Sequence, residues 1–140
     1  MNGRLLRAAF AGVVVACATL ASTNAGAQPP RIEVQAVAAT GSMPKGVSLS
    51  PDGRRAYVTN FGQHDGHNID VFDAETLSHV DHIDVPGNVV ESVLSPDGTT
   101  IYASNFMRNS VQLIDVKKKK VVREIPTGTH PKILVLSPAG

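Results

Sequence analysis

The chain has 140 residues, 42% of them apolar and 18% charged, with a formal net charge of +1 at pH 7. That apolar fraction supports one globular core and excludes intrinsic disorder, and the near-neutral balance gives no reason to expect a nucleic-acid or membrane-surface partner. Aromatic residues make up 4% with no Trp, while 12 Gly and 9 Pro are spread along the chain, which suits many short strands and tight turns and predicts an all-β fold.

At the N-terminus, Arg4 and Arg7 precede an apolar run over residues 8–20, and Ala25-Gly26-Ala27 supplies small residues at the key cleavage positions. Residues 1–27 read as a secretory signal peptide cleaved after Ala27, and residues 28–140 as a periplasmic or secreted mature chain. The run is shorter than the roughly 20 apolar residues of a membrane span, and Ser22-Thr23-Asn24 follows it. Val14-Val15-Ala16-Cys17 resembles a bacterial lipobox, so a lipoprotein anchored through Cys17 is the competing reading. Cleavage removes the single cysteine, so the mature chain can form neither an internal disulfide nor a thiolate zinc site. It also removes Arg4 and Arg7, leaving 11 basic and 12 acidic side chains, a net of −1.

Beyond the leader the chain repeats itself. Ser50-Pro51-Asp52-Gly53 recurs as Ser95-Pro96-Asp97-Gly98 and, incompletely, as Ser137-Pro138-Ala139-Gly140, at offsets of 45 and 42 residues. Lys45-Gly46 falls in register with Val90-Glu91 and Lys132-Ile133, and Tyr57-Val58-Thr59-Asn60-Phe61 with Tyr102-Ala103-Ser104-Asn105-Phe106. The period is that of a four-stranded propeller blade.

Each unit predicts four strands. In the first, residues 46–50 end at a turn where Pro51 pre-sets its backbone angle and Gly53 accepts a left-handed one, and Asp52 belongs to the same turn signature. Residues 55–60 carry strand-favouring Tyr, Val and Thr. Residues 68–73 follow, and residues 77–85 run to Pro86-Gly87. The second unit repeats the pattern over 90–95, 99–105, 109–115 and 120–125, with Pro96, Asp97 and Gly98 at its first turn and the lysine run 117–120 at its last. Blade units are placed at about 44–88 and 89–130. Residues 32–38 read as the fourth strand of a preceding blade and 132–137 as the first strand of a following one. A closed ring uses about four to eight blades, on the order of 170 residues or more at this period. The chain is therefore expected to be a propeller fragment of a little over two blades, prone to self-association through its uncovered blade faces and edges.

The order Ser-Pro-Asp-Gly, Tyr-Val-x-Asn, Val-x-x-Ile-Asp and Pro-x-Gly resembles the YVTN-type β-propeller repeat family over nearly all of residues 32–140. The second unit departs from it with Tyr102-Ala103-Ser104-Asn105, and the third has Ala139 where Asp is expected. The resemblance implies blades whose ligands sit on the face carrying the loops after the second and fourth strands. On that face fall His64, His67, Glu91, Arg108 and His130, the candidate ligand-binding residues. The implied role is a binding or protein-interaction scaffold for an unidentified protein or small molecule, with a fragment of a lactonase-type hydrolytic propeller as the alternative.

No catalytic, metal or cofactor site is read from the residues themselves. His64-Asp65-Gly66-His67 offers ligand types suited to a transition metal but reads as a solvated turn. Glu91 is the one carboxylate near the starts of the inner strands, Gly46 standing at its place in the first unit, too few for the divalent cation of a hydrolytic site. His79 and His82 lie three apart on an outer strand and are expected on opposite faces. The lysine run is expected to be solvated at its turn, and Asn60 and Asn105 to cap turns. Phosphate-loop, nucleophile-elbow and haem-attachment motifs are missing.

Overall fold

A computed structural model describes residues 31–64 and 66–137. The leader 1–27, with Cys17, lies outside the described residues, as do Asp65 and residues 138–140. The chain divides into two units, Met1–Glu33 and Val34–Gly140. In the first, Arg31 Nε stands 3.5 Å from Glu33 Oε1; the second holds all the strands found among the described residues.

Eight strands and no helix occur among the described residues: β1 Pro44–Leu49, β2 Arg55–Asn60, β3 Ile69–Asp73, β4 His79–Ile83, β5 Val89–Leu94, β6 Thr100–Asn105, β7 Ser110–Asp115 and β8 Lys120–Pro126. They form two four-stranded antiparallel sheets in the orders β1-β2-β3-β4 and β5-β6-β7-β8. Among these residues no helix is long and apolar enough to cross a membrane.

The hairpins are set by local chemistry. Ser50 Oγ donates to Asp52 Oδ1 at 2.6 Å, the Arg54 N–H donates to the same oxygen, and the Gly53 N–H closes the turn on the Ser50 carbonyl, with Gly53 at φ 70°. Ser95, Asp97, Thr99 and Gly98 repeat the arrangement. Pro51 and Pro96 occupy the first turn corner in each case.

One face of each sheet makes the core. Tyr57, Ile69, Val71, Ile83 and Val85 of the first unit pack with Val89, Leu94, Ile101, Ala103 and Ile114 of the second. Ala56, Val58 and Phe72 form a smaller cluster on the opposite face of the first sheet, with Ala38 and Ala74 against it. The two end segments form no strands, contrary to expectation: 31–38 and 131–137 carry no ladder, and Val34, Val37, Ile133 and Val135 are exposed. A strand exists through its partner's hydrogen bonds, and the sheets these segments would join are not among the described residues.

Polar side chains tie the sheets together. The Thr59 hydroxyl accepts from the Gly46 N–H at 2.9 Å and donates across to the Val90 carbonyl at 2.7 Å. Ser104 repeats this one unit on, accepting from the Glu91 N–H and donating to the Lys132 carbonyl at 2.8 Å. Asn68 holds the link between blades: its Nδ2 donates to the Val85 and Gly87 carbonyls and its Oδ1 accepts from the Val85 N–H. Gly87 sits at φ 83°, and a Cβ there would meet Asn105 Oδ1 at 2.6 Å, so glycine is required on both counts.

Three expectations need correction. Asn60 and Asn105 do more than cap turns: Asn105 Oδ1 accepts from the Arg108 N–H at 3.2 Å as a cap does, but both side chains are fully buried, Asn60 Nδ2 donating to Asp70 Oδ2 at 2.8 Å and Asn105 Nδ2 to the Pro86 carbonyl at 2.6 Å. Lys119 is not merely solvated, because its Nζ donates to Asp81 Oδ1 at 2.6 Å and pins the outer rims of the two sheets. His79 and His82 share a face. A bulge between Val71 and Phe72 pairs Asp70 with His82 and Phe72 with His79, and the extra residue cancels the odd spacing.

Asn68 and Ser110 are equivalent positions with opposite consequences. Asn68→Ala should cost about 2–3 kcal/mol, since it orphans buried backbone groups of the interblade link. The Ser110 hydroxyl is buried without a hydrogen-bond partner, so Ser110→Ala should be neutral to within about 0.5 kcal/mol. Urea denaturation of both variants measures the contrast.

Hydrogen bonds hold several carboxylates below their ordinary values: Asp73 through Thr76, Asp81 through Lys119, Asp97 through Ser95, and Glu124 through Arg108. Their folded pKa values are depressed, so their stabilisation is complete above the unfolded values and is lost as pH falls through the folded ones. Thermal melts should be flat in this respect from neutral pH to about pH 5, with stability falling below about pH 4. Lys119→Ala should flatten the part due to Asp81.

Candidate functional site

Antiparallel alternation brings the loops after β2, β4, β6 and β8 to one face of the sheets. There, Lys45, Phe61, Val90, Phe106 and Lys132 line a cleft of about 270 Å³. These are two positions of the repeat used several times over. Lys45, Val90 and Lys132 begin successive units, and Phe61 and Phe106 each follow the buried asparagine that ends the second strand.

Geometry makes the cleft aromatic on its walls and cationic at its rim. Phe61 and Phe106 meet edge to face, centroids 5.5 Å apart at 88°, a favoured arrangement for such rings. The His130 ring lies flat on Phe106 at 4.1 Å and 8°, extending the row. Lys45 Nζ is 6.0 Å from the Phe61 centroid, at the outer limit of a cation–π contact. Both Lys45 and Lys132 are exposed. Loop positions are set from below: Asn88 Nδ2 donates to the Phe61 carbonyl at 2.8 Å, and Asn109 Oδ1 accepts from the His130 N–H at 3.0 Å.

The five residues singled out from the sequence divide in two. His130 joins the cleft through Phe106. Glu91 stands beside it over Gly46, where a Cβ would lie 2.5 Å from Glu91 Oε1; the glycine leaves room for that carboxylate. Arg108 is committed elsewhere, its Nε and Nη2 donating to Glu124 at 2.9 and 3.2 Å. His64 and His67 do not converge as a pair. His64 Nδ1 meets Asn88 Oδ1 at 3.0 Å, and the His67 ring stacks on His82 at 4.0 Å.

Phe61 and Phe106 begin the loops after β2 and β6, on the face expected to carry ligands, but neither is among the five residues singled out from the sequence. Their signal was the repeated Asn-Phe step, which looks the same whether the ring packs inward or lines a cleft. A hollow of similar size between the first sheet and the β7–β8 turn, lined by Tyr57, Val71, Asp81, Val116 and Lys119 among others, is spanned by the Lys119–Asp81 pair.

No protein-family model matches the chain. Antigen Lp49 of Leptospira interrogans serovar copenhageni is 28% identical over 102 residues, 70% of this chain and 22% of that protein. Among solved structures, hydrazine synthase of Kuenenia stuttgartiensis superposes with a TM-score of 0.60 at 28% identity, covering 77% of this chain and 30% of that one. A gluconolactonase from Xanthomonas campestris superposes at 0.57 with 22% identity, covering 70% and 32%. The chain thus spans a fifth to a third of the length of these proteins. With the two four-stranded sheets, these similarities define a β-propeller protein. The described residues build two of its blades.

Proposed function

We propose that this chain is part of an exported propeller of the YVTN-repeat type, acting as a non-enzymatic binding scaffold whose loop face takes an anionic ligand with an aromatic or apolar portion. The observation that carries this reading is the cleft in which two exposed lysines flank the Phe61–Phe106 pair. An aromatic wall supplies apolar contact, while the ammoniums select a carboxylate, sulfonate or acidic side chain. The repeat supports the reading further, because additional blades of the same pattern would present the same two positions around the mouth. The hydrolytic alternative draws on the likeness to the gluconolactonase, which extends to the fold alone, and on Glu91 beside the cleft.

Titration of the full chain with 1-naphthoate, followed by NMR, tests the cleft. The expected result is sub-millimolar binding that shifts the Phe61 and Phe106 ring signals, weakens with added salt and falls at least about tenfold, roughly 1.4 kcal/mol, in the Lys45→Ala, Lys132→Ala double variant. Binding that ignores the double substitution, or its absence at several millimolar, overturns the reading. Lactone hydrolysis abolished by Glu91→Gln would establish the alternative.

Export has its own check. Intact mass of the product from a bacterial host should correspond to a chain beginning at Gln28. A diacylglyceryl adduct on Cys17 would replace this with the lipoprotein route.

A further inference from the structure

The geometry points to a transition-metal site formed by His67, His82 and Asp84 at the outer edge of the first blade, separate from the cleft. One ligand atom from each of the three lies within 4.8 Å of the others. His82 is on β4, and Asp84 follows two residues later, so strand alternation puts both side chains on one side. His67 comes from the β2–β3 loop, where its left-handed backbone, φ 49°, aims its N–H at Asp84 Oδ1 with a 2.6 Å hydrogen bond. The other carboxylate oxygen, Oδ2, turns to His82 Nε2 at 3.7 Å. The two imidazoles lie against each other at 4.0 Å and 20°.

The donor set defines the ion. Two imidazole nitrogens and one carboxylate oxygen suit zinc, nickel or copper, whereas calcium and magnesium call for oxygen ligands throughout. Around a tetrahedral zinc at about 2.0–2.1 Å from each ligand, donor atoms stand about 3.3 Å apart. Reaching that value from the present spacing of up to 4.8 Å calls for rotation about the side-chain bonds of the three ligands. His67 and Asp84 are exposed and His82 is half-buried, which leaves room for water as a fourth ligand. Neighbouring histidines do not compete for the ion, His79 being engaged by Asp70 at 3.2 Å and His64 by Asn88 at 3.0 Å. His82 lies on β4 and Asp84 just after it, so the 64–67 turn by itself does not show the group. A bound ion would cross-link the β2–β3 loop to the outer strand and raise the melting temperature by binding the folded chain alone.

Calorimetric titration of the full chain with zinc sulfate at pH 7.5 tests this, with calcium chloride as the control. Expected is one low-micromolar zinc site and no heat from calcium. His67→Ala and His82→Ala should each weaken zinc binding at least about tenfold, while His64→Ala and His79→Ala leave it unchanged. Long-range proton–nitrogen spectra of the unsubstituted chain keep the test independent of variant folding: of its five histidines, the ring nitrogens of His67 and His82 should move on zinc addition. Absence of binding at 100-fold excess over protein, or zinc-induced shifts confined to other histidines, overturns the assignment.

Discussion

A single blade cannot cover its own faces, and every other feature of this chain follows from that constraint. A four-stranded twisted sheet with apolar residues on both sides is unstable in water until another sheet is laid against it. Tyr57, Val71 and Ile83 from one side and Val89, Ile101 and Ile114 from the other meet across that junction, and fully burying each large aliphatic chain contributes about 1.5–3 kcal/mol. The clusters are unequal in size, with ten buried residues between the sheets and three on the far face of the first. Val47 and Leu49 of the inner strand β1 remain exposed, presenting apolar surface of the kind that the second sheet covers elsewhere.

Apolar contact is not directional, so it cannot by itself align one blade with the next. Hydroxyls and amides supply the alignment. Thr59 and Ser104 each read the inner strand of their own sheet and the inner segment of the following unit, while Asn68 and Asn105 grip the link at Val85, Pro86 and Gly87. The four side chains are buried, and buried polar groups demand partners with defined geometry. The cleft is a by-product of the same alignment. Lys45, Val90 and Lys132 occupy one structural position in three successive units, and Phe61 meets Phe106 because the two blades are held at a fixed offset.

The outer strand shows how a small irregularity relocates chemistry. Without the bulge between Val71 and Phe72, His79 and His82 would face opposite ways. With it, His79 reaches the buried Asp70 carboxylate and packs edge-on against Phe72, while His82 reaches His67. Asp70 itself accepts from the Gly41 N–H and from Asn60, so the first blade carries a polar column from its entry loop to its outer edge. In the second blade the corresponding column runs Asn105, Gln112, Glu124 and Arg108.

Residue order alone determined the all-β class, the repeat, the turns and most strand positions, because those depend on neighbours in sequence. Pro and Gly at fixed turn corners, alternation of side chains, and β-branched or aromatic residues act within a few positions of themselves. Residues 55–60 were legible to the residue for that reason. Only the tertiary structure decided whether an extended segment becomes a strand: residues 32–38 and 132–137 have suitable composition but no ladder partner. It also decided that Lys119 finds Asp81, that Asn60 and Asn105 lie buried, and that the Phe-Lys cleft and the His67–His82–Asp84 group exist at all. Each joins residues from different strands or blades, and sheet offset, bulge and interblade packing set those distances.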